Sequence, residues 1–377
     1  MRLAAEQIVS EGSAGGRYEA LTSIRGIAAW WIVVYHFRVA LIAVVPGIVM
    51  AVLNRGYLAV DMFFVLSGFV ISLNYRRWFA DGVRERWARF VGLRLVRIYP
   101  LHLFILVAYL VDPLAVFLWS TRRDLGQFSV RDYVESLFLV QAWGMSPKLT
   151  WNVPAWSISA EWFVYLVFPM MAFGSTRAIR GPWTAFVWTA SSLAALFLGP
   201  ALFGVSFVTD IGRLAVIRCI LEFSAGFGIM HLRTMLDDQH RLSIVALAFG
   251  TLVLTLVIAQ VLPDEAAAAA FAALIFALSD SRLAVARWMG SGSRVGRVLL
   301  ALGAVSYSTY LCHFLIRSWV RFVFIGHGLN PVPAFGLYIA LTALASPLLY
   351  LLVERPGRHW GRALLGVQAR AAVATGP

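Results

Sequence analysis

Long apolar runs divide the chain into ten windows, at residues 27–45, 57–75, 98–119, 156–173, 183–203, 213–232, 242–262, 265–281, 299–325 and 333–353. A run of about 20 residues, at about 1.5 Å per residue, spans a bilayer core of about 30 Å. In lipid the backbone must satisfy its own polar groups, so the pattern predicts an all-α polytopic membrane bundle of about ten transmembrane helices. Residues 133–143 form one more apolar run, too short to cross. The long segment that holds it, residues 120–155, is expected to carry it as a re-entrant or interfacial element.

Charge tests that reading. Between the second and third windows lie Arg76, Arg77, Arg84, Arg86, Arg89, Arg94 and Arg97 against only Asp81 and Glu85, which assigns that segment to the cytoplasm. Counting onward through ten spans leaves both termini cytoplasmic and places Arg177, Arg180, Arg233, Arg241, Arg282, Arg287, Arg294 and Arg297 on the same side. A crossing by residues 133–143 would turn every later basic segment outward. The chain therefore reads as a cytoplasmic segment 1–24, a membrane domain 25–356 and a cytoplasmic tail 357–377. The polar first 24 residues contain no apolar signal core, so the first run is expected to be a retained span.

Composition agrees: 60% of residues are hydrophobic, 14% are charged, and mean hydropathy is +0.77. Net charge is +13, and Lys148 is the only lysine. In a soluble protein such a balance suggests nucleic acid, but here the arginines cluster between apolar runs as membrane-protein loops do. Cys219 and Cys312 fall inside apolar runs and read as small hydrophobes, and neither a disulfide nor a metal framework is supported.

Ionisable groups inside the spans carry the candidate chemistry, because each needs a partner or a wet cavity to be tolerable. His36 lies eleven residues after Arg25, about 16 Å along a helix, and is expected near mid-membrane. The competing reading is an interior histidine bonded to a neighbouring helix. Arg94 and Arg97, spaced i, i+3, present two guanidinium forks on one helix face, suited to phosphates, or else are ordinary cytoplasmic-side arginines. His313, Arg317 and Arg321 form an i, i+4, i+8 polar stripe. Arg218 and Glu222 read as a structural ion pair. Asp61, Glu161, Arg38, Arg317 and Arg321 are assigned to the outer half. There the carboxylates would orient His36, bind hydroxyls or pair with two of the arginines, around a vestibule between the first, second, fourth and ninth spans. Such a vestibule suits an acidic or pyrophosphate-linked glycan.

Several of these residues stand in recognisable motifs. The run Leu21-Thr22-Ser23-Ile24-Arg25-Gly26 followed by His36 resembles the opening motif of the acyltransferase-3 family of membrane acyltransferases. Residues 56–68 (GYLAVDMFFVLSG) resemble its second-helix motif, and Arg94-Leu95-Val96-Arg97-Ile98-Tyr99-Pro100 its RxxR segment. Trp156-Ser157-Ile158-Ser159-Ala160-Glu161, with Tyr165 and Pro169, is similar to its W-S-L-x-x-E element. Residues 306–313 (SYSTYLCH) and Glu354-Arg355-Pro356 resemble its closing motifs. Thr22 stands where the family usually has Asp, and Ala59 where it often has Gly; the first puts in doubt a carboxylate acting beside Arg25.

The resemblance implies an acyl-CoA-dependent O-acyltransferase in a bacterial cytoplasmic (inner) membrane. It would move an acyl group, often acetyl, from cytoplasmic acyl-CoA to a hydroxyl of an extracytoplasmic glycan or glycolipid, as in polysaccharide O-acetylation. Taken with the placement of charges along the spans, it gives candidate catalytic roles to His36, Arg25, Glu161 and Asp61 and donor binding to Arg94 and Arg97. Charge placement, more than the resemblance, assigns Arg38, His313, Arg317 and Tyr310 to acceptor binding, and no metal is implied. His36 would act as general base or as an acyl relay. A small-molecule or lipid acceptor is the alternative within this class, and a transporter or flippase is the rival outside it.

Overall fold

The computed structural model describes residues 18–119, 128–145, 149–204, 206–236 and 239–366, and among these it is helical with no strand. Eight helical segments are long and apolar enough to cross a membrane, or nine when the bent pair Arg294–Ala304 and Ser306–Phe324 counts as one. The protein is a polytopic membrane helical bundle.

Two helices form its centre, α3 (Ala59–Tyr75) and α9 (Ala215–Met235). The windows containing them are 72% buried, against 22% for α10 (His240–Ile258), which turns Ile244, Val245, Phe249 and Leu252 outward as lipid-facing surface. The central pair runs parallel: Asp61 meets Arg218 at 2.5 Å near their first residues, and Arg76 Nη1 lies 3.2 Å from Met230 Sδ near their last. Glycine lets them approach. A Cβ at Gly68 would stand 2.0 Å from the Phe223 carbonyl oxygen, and one at Gly226 would stand 1.8 Å from that of Val65. Small residues at such a crossing supply the close van der Waals contact that drives helix association in lipid.

The remaining elements depart from the hydropathy windows in instructive ways. Helix α1 (Glu19–Phe37) starts well before the first apolar window and ends just after His36, rather than continuing to residue 45. Arg38 terminates it: its Nη1 donates to the Tyr35 carbonyl at 2.8 Å and its Nε to Asn54 Oδ1 at 2.7 Å, satisfying an orphan C-terminal carbonyl. A short helix, α2 (Gly47–Asn54), then leads into α3. The basic segment after α3 is itself largely helical, since α4 (Arg84–Ala108) incorporates Arg84, Arg86, Arg89, Arg94 and Arg97 and is followed by α5 (Val111–Trp119).

Residues 133–143 form no helix long enough to cross. Helix α6 (Val130–Leu137) has 8 residues, and the chain then folds back against α4 and α7 (Trp156–Ala178). Tyr99 OH donates to the Leu137 carbonyl at 3.1 Å, and His102 Nε2 lies 2.8 Å from that of Ser136. Ser159 Oγ donates to the Leu139 carbonyl at 2.8 Å. Side chains thus satisfy the backbone of a non-crossing segment, as irregular structure within a membrane requires.

After α7 come α8 (Pro182–Phe203), α9 and α10, then α11 (Ala267–Leu278), which has only 12 residues and is about 18 Å long. It is shorter than the span expected at residues 265–281. Its flanks nonetheless reach opposite faces: Asp264 meets Arg55 at 2.6 Å beside the start of α3, whereas Asp280 lies 3.6 Å from Arg233 at the end of α9. Past α12 (Ala284–Met289), the ninth window is broken. Helices α13 (Arg294–Ala304) and α14 (Ser306–Trp319) meet at 65°. At the bend a Cβ on Gly303 would stand 1.9 Å from the Thr22 carbonyl oxygen, so α13 presses closely on α1 while α14 turns into the bundle. Helix α15 (Pro331–Leu349) follows, and α16 (Arg355–Leu364), within the segment expected as a tail, packs Gly357 and Gly361 against Pro100 and Val96 of α4.

Candidate active site

The inward turn of α14 places its side chains between two cavities that share no lining residue. The first, of about 180 Å³, opens beside the arginine-rich half of α4. Arg25 from α1 and Arg94 and Arg97 from α4 line it, opposite Glu161 and Tyr165 of α7 and Tyr307 and Tyr310 of α14. The i, i+3 spacing of Arg94 and Arg97 thus does turn both toward one space.

These guanidiniums are only partly compensated. Arg94 Nη2 donates to Tyr75 OH at 2.7 Å, with its guanidinium 4.7 Å from that ring's centre, and its buried Nε has no partner among the described residues. Arg97 lies 3.8 Å from Glu354, which also accepts from Ser308 Oγ at 2.6 Å and faces Arg358 at 3.5 Å. Arg25 feels Arg97, Glu354 and Glu161 electrostatically but makes no ion pair with a described residue. Three guanidiniums therefore face two carboxylates, Glu161 and Glu354, and positive charge remains over for an anionic ligand.

Two histidines line neither cavity, but His313 lies in sequence between Tyr310 of the first lining and Phe314 of the second. The His36 and His313 rings lie 5.1 Å apart, and Phe314 packs edge-on to His36 at 5.2 Å. His313 is completely buried; its Nδ1 lies 2.6 Å from the Tyr310 carbonyl, so it donates there and leaves Nε2 as a lone pair with no partner among the described residues. Tyr310 OH donates to the Pro154 carbonyl at 2.7 Å and touches Ser157 Oγ at 2.8 Å. The His36 imidazole makes no hydrogen bond with a described residue, although Arg317 Nε donates to its backbone carbonyl at 2.7 Å.

The second cavity, of about 420 Å³, lies on the far side of Phe314. It is bounded by Tyr109, Asp112, Trp151, Arg317 and Trp319, between α4, α5, α14 and the segment before α7. This is not the vestibule expected among the first, second, fourth and ninth spans: the third span and the 128–153 region take the places of the others.

Several expected neighbours are separated. Asp61, only 1% exposed, pairs with Arg218, which is held at 3.1 Å by Glu222 as well; Asp61 therefore meets neither Arg38 nor Arg317. Arg218 and Glu222 do form their ion pair, enlarged by Asp61 and by the Val208 carbonyl at 3.1 Å. Glu161 accepts from Ser67 Oγ and faces the arginine-lined cavity instead of the outer arginines. Arg38 stacks over Tyr35 at 4.0 Å, and Tyr310 borders the first cavity rather than the second. Tyr165 and Tyr307 escaped sequence reasoning as individual site residues, although both sit within the motifs quoted above. Asp112, Tyr109 and Trp151 carried no signal, being single polar or aromatic residues in apolar or loop sequence.

A membrane bundle with a cationic cavity, a half-buried and a buried imidazole side by side and a second cavity has the parts of a group-transfer enzyme. Residues 18–351 match the acyltransferase-3 family model, described as an acyltransferase domain, and the chain belongs to this family. It is 30% identical to the acyltransferase MdmB of Streptomyces mycarofaciens, over 96% of this chain and 95% of that protein. It is 24% identical to the O-acetyltransferase OatA of Staphylococcus aureus, over 90% of this chain but 57% of that longer protein. No solved structure matches the chain.

Proposed function

We propose that this membrane acyltransferase moves an acyl group, acetyl in the simplest case, from cytoplasmic acyl-CoA to a hydroxyl of an extracytoplasmic glycan or glycolipid. The observation that carries the reading is the pair His36 and His313, whose rings lie 5.1 Å apart and pack against Tyr310 of the arginine-lined cavity and Phe314 of the second one. Arg94 and Arg97 would hold the donor's phosphates, and Arg25 would face the thioester and the charge that develops on its oxygen. His36 would remove the acceptor hydroxyl's proton as that oxygen attacks the carbonyl carbon, the C–S bond breaks and the CoA thiolate takes up a proton.

The separation of the cavities favours a second route. The His36 imidazole would first attack the thioester carbonyl, breaking the C–S bond and releasing CoA thiolate; the acceptor hydroxyl would then attack the acyl-imidazole, its proton passing to the released imidazole, so that the two substrates need never meet. Purified protein in vesicles, supplied with acetyl-CoA, tests the reading. Appearance of free CoA thiol together with acylated acceptor supports it; absence of thiol release above the uncatalysed rate rejects it. A transporter would release none.

A further inference from the structure

Two imidazoles lie side by side, and the rest of the described fold completes the hydrogen bonding of neither. His313 is completely buried and its Nδ1 is committed to the Tyr310 carbonyl, so its Nε2 is a lone pair without a donor among the described residues. Leaving such an acceptor unbonded in the interior costs free energy. The His36 ring stands 5.1 Å away, tilted by 36°, and it too has no hydrogen bond to a described residue. Its other ring neighbours are Tyr35 at 5.1 Å and Phe314 at 5.2 Å. The charged residues that act on it electrostatically are Arg317 and Arg38, both cations. A carboxylate commonly orients a catalytic imidazole, but here Asp61 is held by Arg218 and Glu161 accepts from Ser67.

From this geometry we propose that His313 orients His36: one ring nitrogen of His36 carries the hydrogen and donates it to His313 Nε2, and the other keeps the lone pair that does the chemistry. The inference deepens the acyl-transfer reading and rests on it for the role of His36. Fixing the tautomer through the far nitrogen is what a base or a nucleophile needs, and a neutral lone pair supplies it here in place of a carboxylate. Both routes put positive charge on the His36 ring. Proton uptake gives an imidazolium, and attack on the thioester gives an acyl-imidazolium while the electron pair of the broken C–S bond leaves on the CoA sulfur. The N–H···N bond to His313 becomes charge-assisted at that point, so it is stronger in the transition state than before it. Helix α14 supports the arrangement: Arg317, one turn after His313, donates from Nε to the His36 carbonyl at 2.7 Å, so successive turns hold the ring and the backbone of one residue. His313 acts through His36 and is a positioning residue, in place of the acceptor-binding role that charge placement suggests.

Nitrogen NMR of the full-length protein in micelles, isotopically labelled at the histidine nitrogens and free of donor, tests the bond itself; the His36 signals are those missing from His36→Ala. Wild type is expected to show His36 as a single neutral tautomer, with one protonated and one unprotonated nitrogen, and His313→Leu to show an average of both tautomers. In reconstituted vesicles His313→Leu should lower the turnover number about 10- to 100-fold, the scale of one hydrogen bond to a charged group, and leave the donor KM unchanged. His313→Gln should keep the single tautomer and recover most of that loss, because its amide oxygen can accept where Nε2 does; a packing role alone gives glutamine no advantage over leucine. If the leucine variant does not fold, the wild-type spectrum and the glutamine variant decide. Averaged tautomers in wild type or in His313→Gln, an unchanged His36 tautomer in His313→Leu, or glutamine no more active than leucine would each overturn the inference. The spectra need no donor, so such a failure leaves the acyl-transfer reading standing, whereas undiminished transfer by His36→Ala rejects that reading whatever His313 does.

Discussion

Arg218 and the group Arg25, Arg94 and Arg97 place the same side chain inside one membrane bundle and come to opposite ends. Arg218 is 1% exposed and fully engaged: Asp61, Glu222 and the Val208 carbonyl consume its donors, and it lines neither cavity. The other three face open space with fewer carboxylates than charges. A buried charge is tolerated when it is paired or when a cavity solvates it, and only the second solution leaves binding capacity. Burial of an arginine in lipid is therefore not itself a mark of function. What separates the two groups is whether the protein has already satisfied the guanidinium.

The comparison is broken most forcefully at Arg218. Arg218→Leu leaves two buried carboxylates without their cation, and is expected to lower stability by about 3–5 kcal/mol, read as loss of the thermal unfolding transition in detergent. Replacing the whole set, Asp61→Asn with Arg218→Met and Glu222→Gln, should recover most of that loss. If Arg218→Leu melts like wild type, the triad is not what holds α3 to α9.

The arginine-lined cavity should respond in the opposite way. Arg94→Ala with Arg97→Ala is expected to keep the fold and raise the donor KM by about 10- to 100-fold, the equivalent of losing one or two charged hydrogen bonds. Lysine at both positions should rescue only partly, since it lacks the bidentate fork. An unchanged donor affinity would make these arginines structural like Arg218.

A smaller effect is expected where one carboxylate is shared among several cationic groups at a helix end. Asp280 sits at the end of α11. Burial works against its ionisation, but hydrogen bonds from the Arg282 side chain and backbone and from His240, with Arg233 nearby, hold its carboxyl below the usual carboxylate range. A depressed folded-state pKa contributes stability that is present above the unfolded value, about 3.9, and is lost as pH falls through the folded one. Asp280→Asn should therefore lower the melting temperature slightly at pH 7, and the gap to wild type should close on acidification below about pH 4. A gap independent of pH would assign the effect to packing.

The split between the two arginine groups also marks where the sequence stops being legible. The bundle was readable because lipid demands long apolar helices, and the failure of residues 133–143 to cross was readable from the arrangement of arginines. Helix ends were not: Glu19 to Arg25 and Arg84 to Arg97 are too polar to enter an apolar window, yet they continue the helices through the interfacial region. The bend at Val305 depends on the approach of Gly303 to Thr22, a contact between distant parts of the chain. Asp61 and Glu161 were legible as ionisable groups inside apolar helices, but which side chain each would meet was not. The partner of Asp61 is 157 residues away, and no spacing rule reaches that far. Arg94 and Arg97 were legible as a pair because their relation is local.

The central claim is that the imidazole of His36 carries out the transfer. The most direct measurement is acyl transfer by His36→Ala in reconstituted vesicles, with donor binding and thermal unfolding followed on the same preparation. The account predicts a fall in rate of about 10²- to 10⁴-fold, with donor affinity and melting temperature close to wild type. Retention of more than about a tenth of the activity in that folded, donor-binding variant would contradict it.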